Sequence, residues 1–325
     1  MTTQIIEDVN QATDILLAGN LCAIPTETVY GLAADATNLS AIERVFLAKG
    51  RPRNHPLIVH VSDFESALHW ISALPEWAIV LAHACWPGPL TLVGIRQSHV
   101  SDAITGGQDT VAVRVPSHDL TLAVLKKLKD QGVHGVVAPS ANLFGHVSPT
   151  TAHHVYQDLA ERLNDGDAIL DGGPCAVGIE STIVLATQNQ PVILRPGAVT
   201  QSDIERITGV TVGDTDEKPS VSGSLASHYA PQARVILTSE QALPEGTSNA
   251  GLLALREVST PPNFYRLDAP ANIQEFAACL YSALRKGDEL GLVEIYVVAP
   301  PDTALTVAIN DRLTRAAYQE KEQHQ

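Results

Sequence analysis

The chain is poor in basic residues, poor in cysteine and free of long apolar runs. Lys and Arg total 21 against 36 Asp and Glu in 325 residues, a formal net charge of -15. Docking on nucleic acid depends on clustered cations that neutralise phosphates. A polynucleotide surface is therefore disfavoured, while a local basic pocket remains open. The four cysteines, Cys22, Cys85, Cys175 and Cys279, lie far apart with no C-x-x-C pair, which excludes a disulfide scaffold and a structural zinc site. They read as small buried hydrophobes in a reducing compartment. No apolar stretch reaches the ~20 residues of a membrane span, and the start M-T-T-Q-I-I-E-D lacks a basic segment followed by an apolar core. The expectation is a soluble, cytoplasmic protein.

Several catalytic patterns are missing too. Neither G-x-G-x-x-G after a strand nor G-x-x-x-x-G-K-[ST] occurs, so a nucleotide would need separately placed cations. There is no Ser-His-Asp ordering and no nucleophile elbow, and Cys175 in G-P-C-A has no adjacent base. His55, His60, His153, His154 and His228 lack the spaced carboxylate or cysteine partners of a metal site. His153 and His154 read as exposed helix residues. Covalent and resident-metal catalysis are not supported.

What is present is a core-forming chain, 45% hydrophobic and 18% charged, long enough for two domains. Short apolar runs read as strands at 21–25, 57–61, 90–95, 110–115, 133–139, 168–170, 181–186 and 192–195. A helix lies between the first two, with Ser40 and Glu43 as a capping box and Gly50 and Pro52 ending it. Thr150 is expected to cap another through Val155 and Leu159. Many short strands with a few helices imply an α/β domain with a twisted, mixed sheet over 1–209. Residues 210–232 have linker composition. From 233 to 325 strands and helices alternate in a parallel-sheet rhythm, a smaller Rossmann-like α/β unit. The tail from Gln319 is expected to fray.

The segment 49–60, K-G-R-P-R-N-H-P-L-I-V-H, puts Lys49, Arg51 and Arg53 at a helix end, while Arg114 and Arg195 close predicted strands. A guanidinium fork holds phosphate or carboxylate in bidentate fashion. An arbitrary surface Lys or Arg is only a solvated charge, but strand ends and Gly/Pro-shaped loops favour a site. Thr28, Ser140, Ser148, Ser181 and Thr182 add small donors and acceptors at strand-to-loop junctions.

Together, P-T-E-T-V-Y-G-L, the 49–60 segment, W-P-G-P-L-T, D-T-V-A-V-R-V-P, A-P-S-A-N, D-G-G, G-I-E-S-T-I-V and L-R-P-G-A closely resemble the YrdC-like threonylcarbamoyl-AMP synthase family. H-Y-A-P at 228–231 and A-I-N-D-R-L-T-R-A-A at 308–317 resemble its long form, which has an additional C-terminal domain. The resemblance implies a nucleotidyltransferase that makes threonylcarbamoyl-adenylate and pyrophosphate from L-threonine, bicarbonate and ATP, for N6-threonylcarbamoyladenosine in tRNA. By motif, Thr28, His60, Arg114, Ala138 and Ser181 look like threonine contacts. Arg51, His55, Thr110, Ser140, Ser148, Arg195 and Tyr229 look like ATP contacts, and Lys49 with Arg51 would serve catalysis by adding charge near the phosphates. Mg2+ is expected on the ATP, with no tightly bound organic cofactor. Downstream tRNA threonylcarbamoyl-transferase proteins would be the partners, with no stable nucleic acid binding. Two other readings stand beside this one. An O-carbamoyl-transfer enzyme of the same superfamily would carry Cys-rich zinc motifs, and an RNA-binding or ribosome-associated module would carry an aromatic-basic stripe.

Overall fold

The computed structural model describes residues 3–223, 229–245, 247 and 249–318. His228 of the H-Y-A-P motif and the tail from Gln319 lie outside the described residues. The chain divides into two compact units. The first comprises 1–144, 149–176 and 180–224, and the second comprises 145–148, 177–179 and 225–325.

The strands of the first unit are β1 (Gln4–Ile6), β2 (Cys22–Ile24), β3 (Gly31–Asp35), β4 (Ile58–His60), β5 (Ile71–Ala73), β6 (Leu90–Arg96), β7 (Thr110–Arg114), β8 (Val136–Val137), β9 (Ala168–Leu170), β10 (Thr182–Leu185) and β11 (Val192–Arg195). They form one sheet in the order β1-β9-β2-β3-β8-β4-β7-β6-β10-β11, with β5 paired to β6. Pairing is mixed: β4 runs parallel to β7 and β10 parallel to β6, while β2 with β3, β6 with β7 and β10 with β11 are antiparallel. The fold is the twisted mixed-sheet α/β class read from the sequence. Short, fully buried apolar strands such as Cys22–Ile24 and Ala168–Leu170 require helices on the sheet, and Ile42, Val45 and Phe46 of the helix Leu39–Lys49 supply part of that cover.

Two helix starts differ from expectation. The N-cap of Leu39–Lys49 is Asn38, whose side chain accepts from the Ala41 N–H at 3.1 Å. That starts the helix ahead of Ser40, so Ser40 and Glu43 are not its capping box. Gly50 ends it at φ 63°, the left-handed cap that favours glycine. The helix Ala152–Leu159 is capped by Thr151, which accepts from the His154 N–H at 3.2 Å, and not by Thr150. On that helix His153 is exposed, but His154 is buried and its Nδ1 accepts the Thr150 N–H at 3.3 Å. The expectation of two exposed histidines fails for His154 because it faces inward.

Residues 210–222 pack on the first unit. Val210 and Val212 lie against the cluster of Trp77, Leu81, Leu90 and Ile204, and Val221 is buried among Ile58, Val93, Ile183, Leu185 and Val192. Linker composition therefore does not prevent this stretch from burying its apolar side chains.

The second unit has β12 (Arg234–Thr238), β13 (Ala250–Leu253), β14 (Phe264–Asp268) and β15 (Glu294–Val298) in the order β12-β15-β13-β14, all parallel. The helix Ile273–Glu289 places Phe276, Leu280 and Leu284 in its core, and Thr306–Ala316 places Ile309 and Leu313. Gly178 belongs here by close approach. A side chain on it would meet the Ala278 backbone at 2.5 Å.

Candidate active site

Parallel pairing of β4 with β7 sets His60 directly beside Arg114. The loop after β2 then brings Thr26, Glu27 and Thr28 onto the guanidinium. Arg114 Nη1 donates to Thr28 Oγ1 at 2.9 Å, Nε donates to Gly88 O at 3.4 Å, and Nη2 lies 2.7 Å from Glu27 Oε1. Thr26 Oγ1 is 2.9 Å from Thr28 Oγ1 and donates to Val29 O at 2.6 Å, which locks the loop. Arg114 is 4% exposed and Thr28 is fully buried. A charge withdrawn this far needs a partner, and Glu27 supplies it. The guanidinium holds the Glu27 carboxyl below its ordinary range against the opposing effect of burial. Burial and the same guanidinium push His60 down to about 3. His60 is therefore a neutral imidazole at physiological pH.

Ala138 joins this group through the close approach of Gly31, where a side chain would meet the Ala138 Cβ at 3.0 Å. Ser181 precedes β10 and exchanges a hydrogen bond with Thr91 on β6 at 2.8 Å. Arg195 at the end of β11 reaches back to it, donating from Nη2 to Ser181 O at 2.9 Å and to Ser181 Oγ at 3.1 Å. Gly197 allows this. A side chain there would meet the Thr182 N at 2.4 Å.

Of the expected ATP contacts in this unit, Arg51 and Arg195 meet at Ser222 and Arg51 and His55 meet at Phe144, while Thr110 and Ser140 stand on other partners. Arg51 Nη2 donates to Pro56 O at 2.9 Å and to Ser222 Oγ at 3.2 Å. Its guanidinium stands 5.7 Å from the Phe144 ring centre, and His55 meets the same ring edge-on at 5.2 Å. Burial and the Arg51 charge push His55 below its usual range. Thr110 opens β7, on the same face as Arg114. Ser140 forms an antiparallel bridge with Gly31.

Lys49 points inward. It is 2% exposed, and Nζ donates to Ser140 O at 2.5 Å and Asn142 O at 2.6 Å. Burial and Arg51 lower its pKa well below the ordinary value. It ties the helix end to the A-P-S-A-N segment. Ser148 and Tyr229 belong to the second unit. Ser148 is buried and its carbonyl accepts from Arg285 Nε at 3.5 Å. Tyr229 is 1% exposed at φ 62°, with its ring 5.5 Å from Tyr281 and 5.6 Å from the Arg312 guanidinium.

The sequence reading missed Glu27, Thr91, Phe144 and Ser222. Glu27 carried a signal, an acidic residue between two threonines in a loop leaving a buried strand. Ser222 carried none, lying in a stretch of linker composition.

Residues 14–197 match the Sua5_yciO_yrdC family model, described as "Telomere recombination", and 199–318 match "Threonylcarbamoyl-AMP synthase, C-terminal domain". The threonylcarbamoyl-AMP synthase of Bacillus subtilis is 37% identical, covering 94% of this chain and 92% of its own. That of Pyrococcus abyssi is 36% identical over 94% and 93%. The crystal structure of P. abyssi Sua5 complexed with L-threonine is similar at a TM-score of 0.83 with 33% identity, covering 97% of both chains. The chain belongs to the threonylcarbamoyl-AMP synthase family, in the long form with a C-terminal domain.

Proposed function

We propose that this chain makes threonylcarbamoyl-AMP and pyrophosphate from L-threonine, bicarbonate and ATP. The observation that carries this reading is a pair of buried guanidinium groups, each bonded to a residue of a hydroxyl motif: Arg114 to Thr28, with His60 beside it, and Arg195 to Ser181. One suits an amino acid carboxylate, the other a phosphate.

In this reading Thr28, His60, Arg114, Ala138 and Ser181 hold L-threonine. Arg51, His55, Thr110, Ser140 and Arg195 of the first unit hold ATP; Ser148 and Tyr229, which the motif resemblance also assigns to ATP, belong to the second unit. The threonine nitrogen, as the free amine after loss of its ammonium proton, attacks the carbon of carbon dioxide, or of bicarbonate with loss of water, and sheds a second proton to give the carbamate; a carbamate oxygen then attacks the α-phosphorus, and pyrophosphate leaves. No protein nucleophile is needed. Fixing the reactants and neutralising the phosphates supply the rate, roles for Arg51 and Arg195. Lys49 acts by holding the Ser140 segment in place through its two carbonyl contacts. Mg2+ belongs with ATP as part of the substrate. Among the described residues no group of three His, Cys, Asp or Glu is placed to hold an ion, so triphosphate oxygens would be its ligands. The product would pass to a tRNA threonylcarbamoyl-transferase in the cytoplasm. No described helix is long and apolar enough to cross a membrane.

Of the segment 210–232, residues 210–222 serve as a lid in the same reading. Ser222 O accepts from Arg195 Nη1 at 2.9 Å, Ser222 Oγ donates to Pro56 O at 3.1 Å, and Ser220 and Gln108 exchange two hydrogen bonds at 2.7 and 3.1 Å. Two guanidinium groups assigned to ATP are thus engaged by the strap, and a nucleotide would compete for them. The whole reading is tested by pyrophosphate release measured with each substrate omitted in turn.

A further inference from the structure

Glu27 offers more than a counter-charge. Its side chain is 9% exposed and that of Arg114 is 4% exposed, with Oε1 and Nη2 2.7 Å apart. The two form a buried charge pair, which holds the Glu27 carboxyl below its ordinary range. Oε2 is fixed by the Ser117 N–H at 3.1 Å. Both charges are thus held in one buried contact, and a ligand carrying the opposite pair of charges can engage both.

Resting on the assignment of Thr28, His60, Arg114 and Ser181 to L-threonine, we propose that Glu27 is a specificity-determining residue that receives the α-ammonium group while Arg114 receives the carboxylate. An amino acid carries these two charges one carbon apart, and the protein presents the complementary charges in contact. The neutral His60 adds no third charge. A carboxylic acid without the amine would bring an unbalanced anion beside Glu27, which like-charge repulsion opposes. The same contact fixes the nitrogen that must become the nucleophile. The pocket is thereby complementary to a zwitterion.

The test compares L-threonine with 3-hydroxybutyrate, which is threonine lacking its amine, by calorimetry on the wild-type chain, E27Q and E27D. The wild type should prefer threonine strongly. E27Q should lower that preference by about tenfold or more, with ATP affinity unchanged, and E27D should retain part of it. If E27Q weakens both ligands by one factor, or leaves the preference intact, Glu27 only props Arg114 and the proposal is overturned. Should E27Q fail to fold, a preference in E27D equal to that of the wild type overturns it equally, and a reduced one supports it. Failure of the wild type to bind L-threonine at all would instead overturn the functional reading on which this rests.

Discussion

Arg114 is the residue on which the amino acid half of the site turns. Two separate stretches meet on its guanidinium, one through Gly88 and one through Glu27 and Thr28, so its loss removes the anion receptor and also leaves Glu27 buried without its partner. Stranding one half of a buried pair costs ~3–5 kcal/mol. Arg114→Ala should therefore weaken L-threonine binding far more than ATP binding by calorimetry, and an equal loss of both would contradict its role. His60 gives a second test at this scale. Its folded-state pKa of about 3 lies below the ordinary value of 6.5, so the unfolded chain binds the extra proton between those values and stability falls as pH drops below 6.5. At pH 5 this amounts to about 2 kcal/mol relative to pH 7. His60→Asn should flatten the pH dependence of urea unfolding by that amount, whereas an unchanged dependence between pH 7 and 5 would show that His60 is protonated in the fold. Arg114 stood out in the sequence at the end of a predicted strand, and His60 through the motif resemblance alone. Glu27 did not, since an acid in a turn looks like a solvated turn residue until the fold brings the arginine onto it.

At the level of elements, the strands with continuous apolar runs were legible, and β9 and β11 match the sequence reading residue for residue. β3 was not, because L-A-A-D has little β-propensity and forms a strand through its pairing with β2 and β8. Helix starts were displaced by one or two residues, since Asn38 and Thr151 compete with Ser40 and Thr150 as caps and only backbone geometry decides between them. The segment before Ser224 was read as linker from composition, yet Val221 finds a core position and Ser222 two arginines. Those few contacts make the strap a low-stability element. Limited proteolysis within 210–222 should respond to ATP, because the nucleotide and Ser222 share Arg51 and Arg195. Cleavage at the same rate with and without ATP would remove the case for a lid.

For the molecule as a whole, the two family models together span 14–318, and the relatives match along nearly the full chain. Both halves of the fold class were legible: a mixed sheet in the first unit from irregular strand spacing, and a parallel sheet in the second from strand-helix alternation. The net charge of -15 is set by the remaining side chains, since Lys49, Arg51, Arg114 and Arg195 of the first unit are all buried. Cations withdrawn from solvent suit small anions, not a polyanion docked on the surface. The central claim is that threonine, bicarbonate and ATP react together on this site. Pyrophosphate release measured with purified full-length protein tests it most directly. The account predicts release that requires both L-threonine and bicarbonate and falls to background when either is omitted, and release from ATP that persists unchanged without threonine would contradict it.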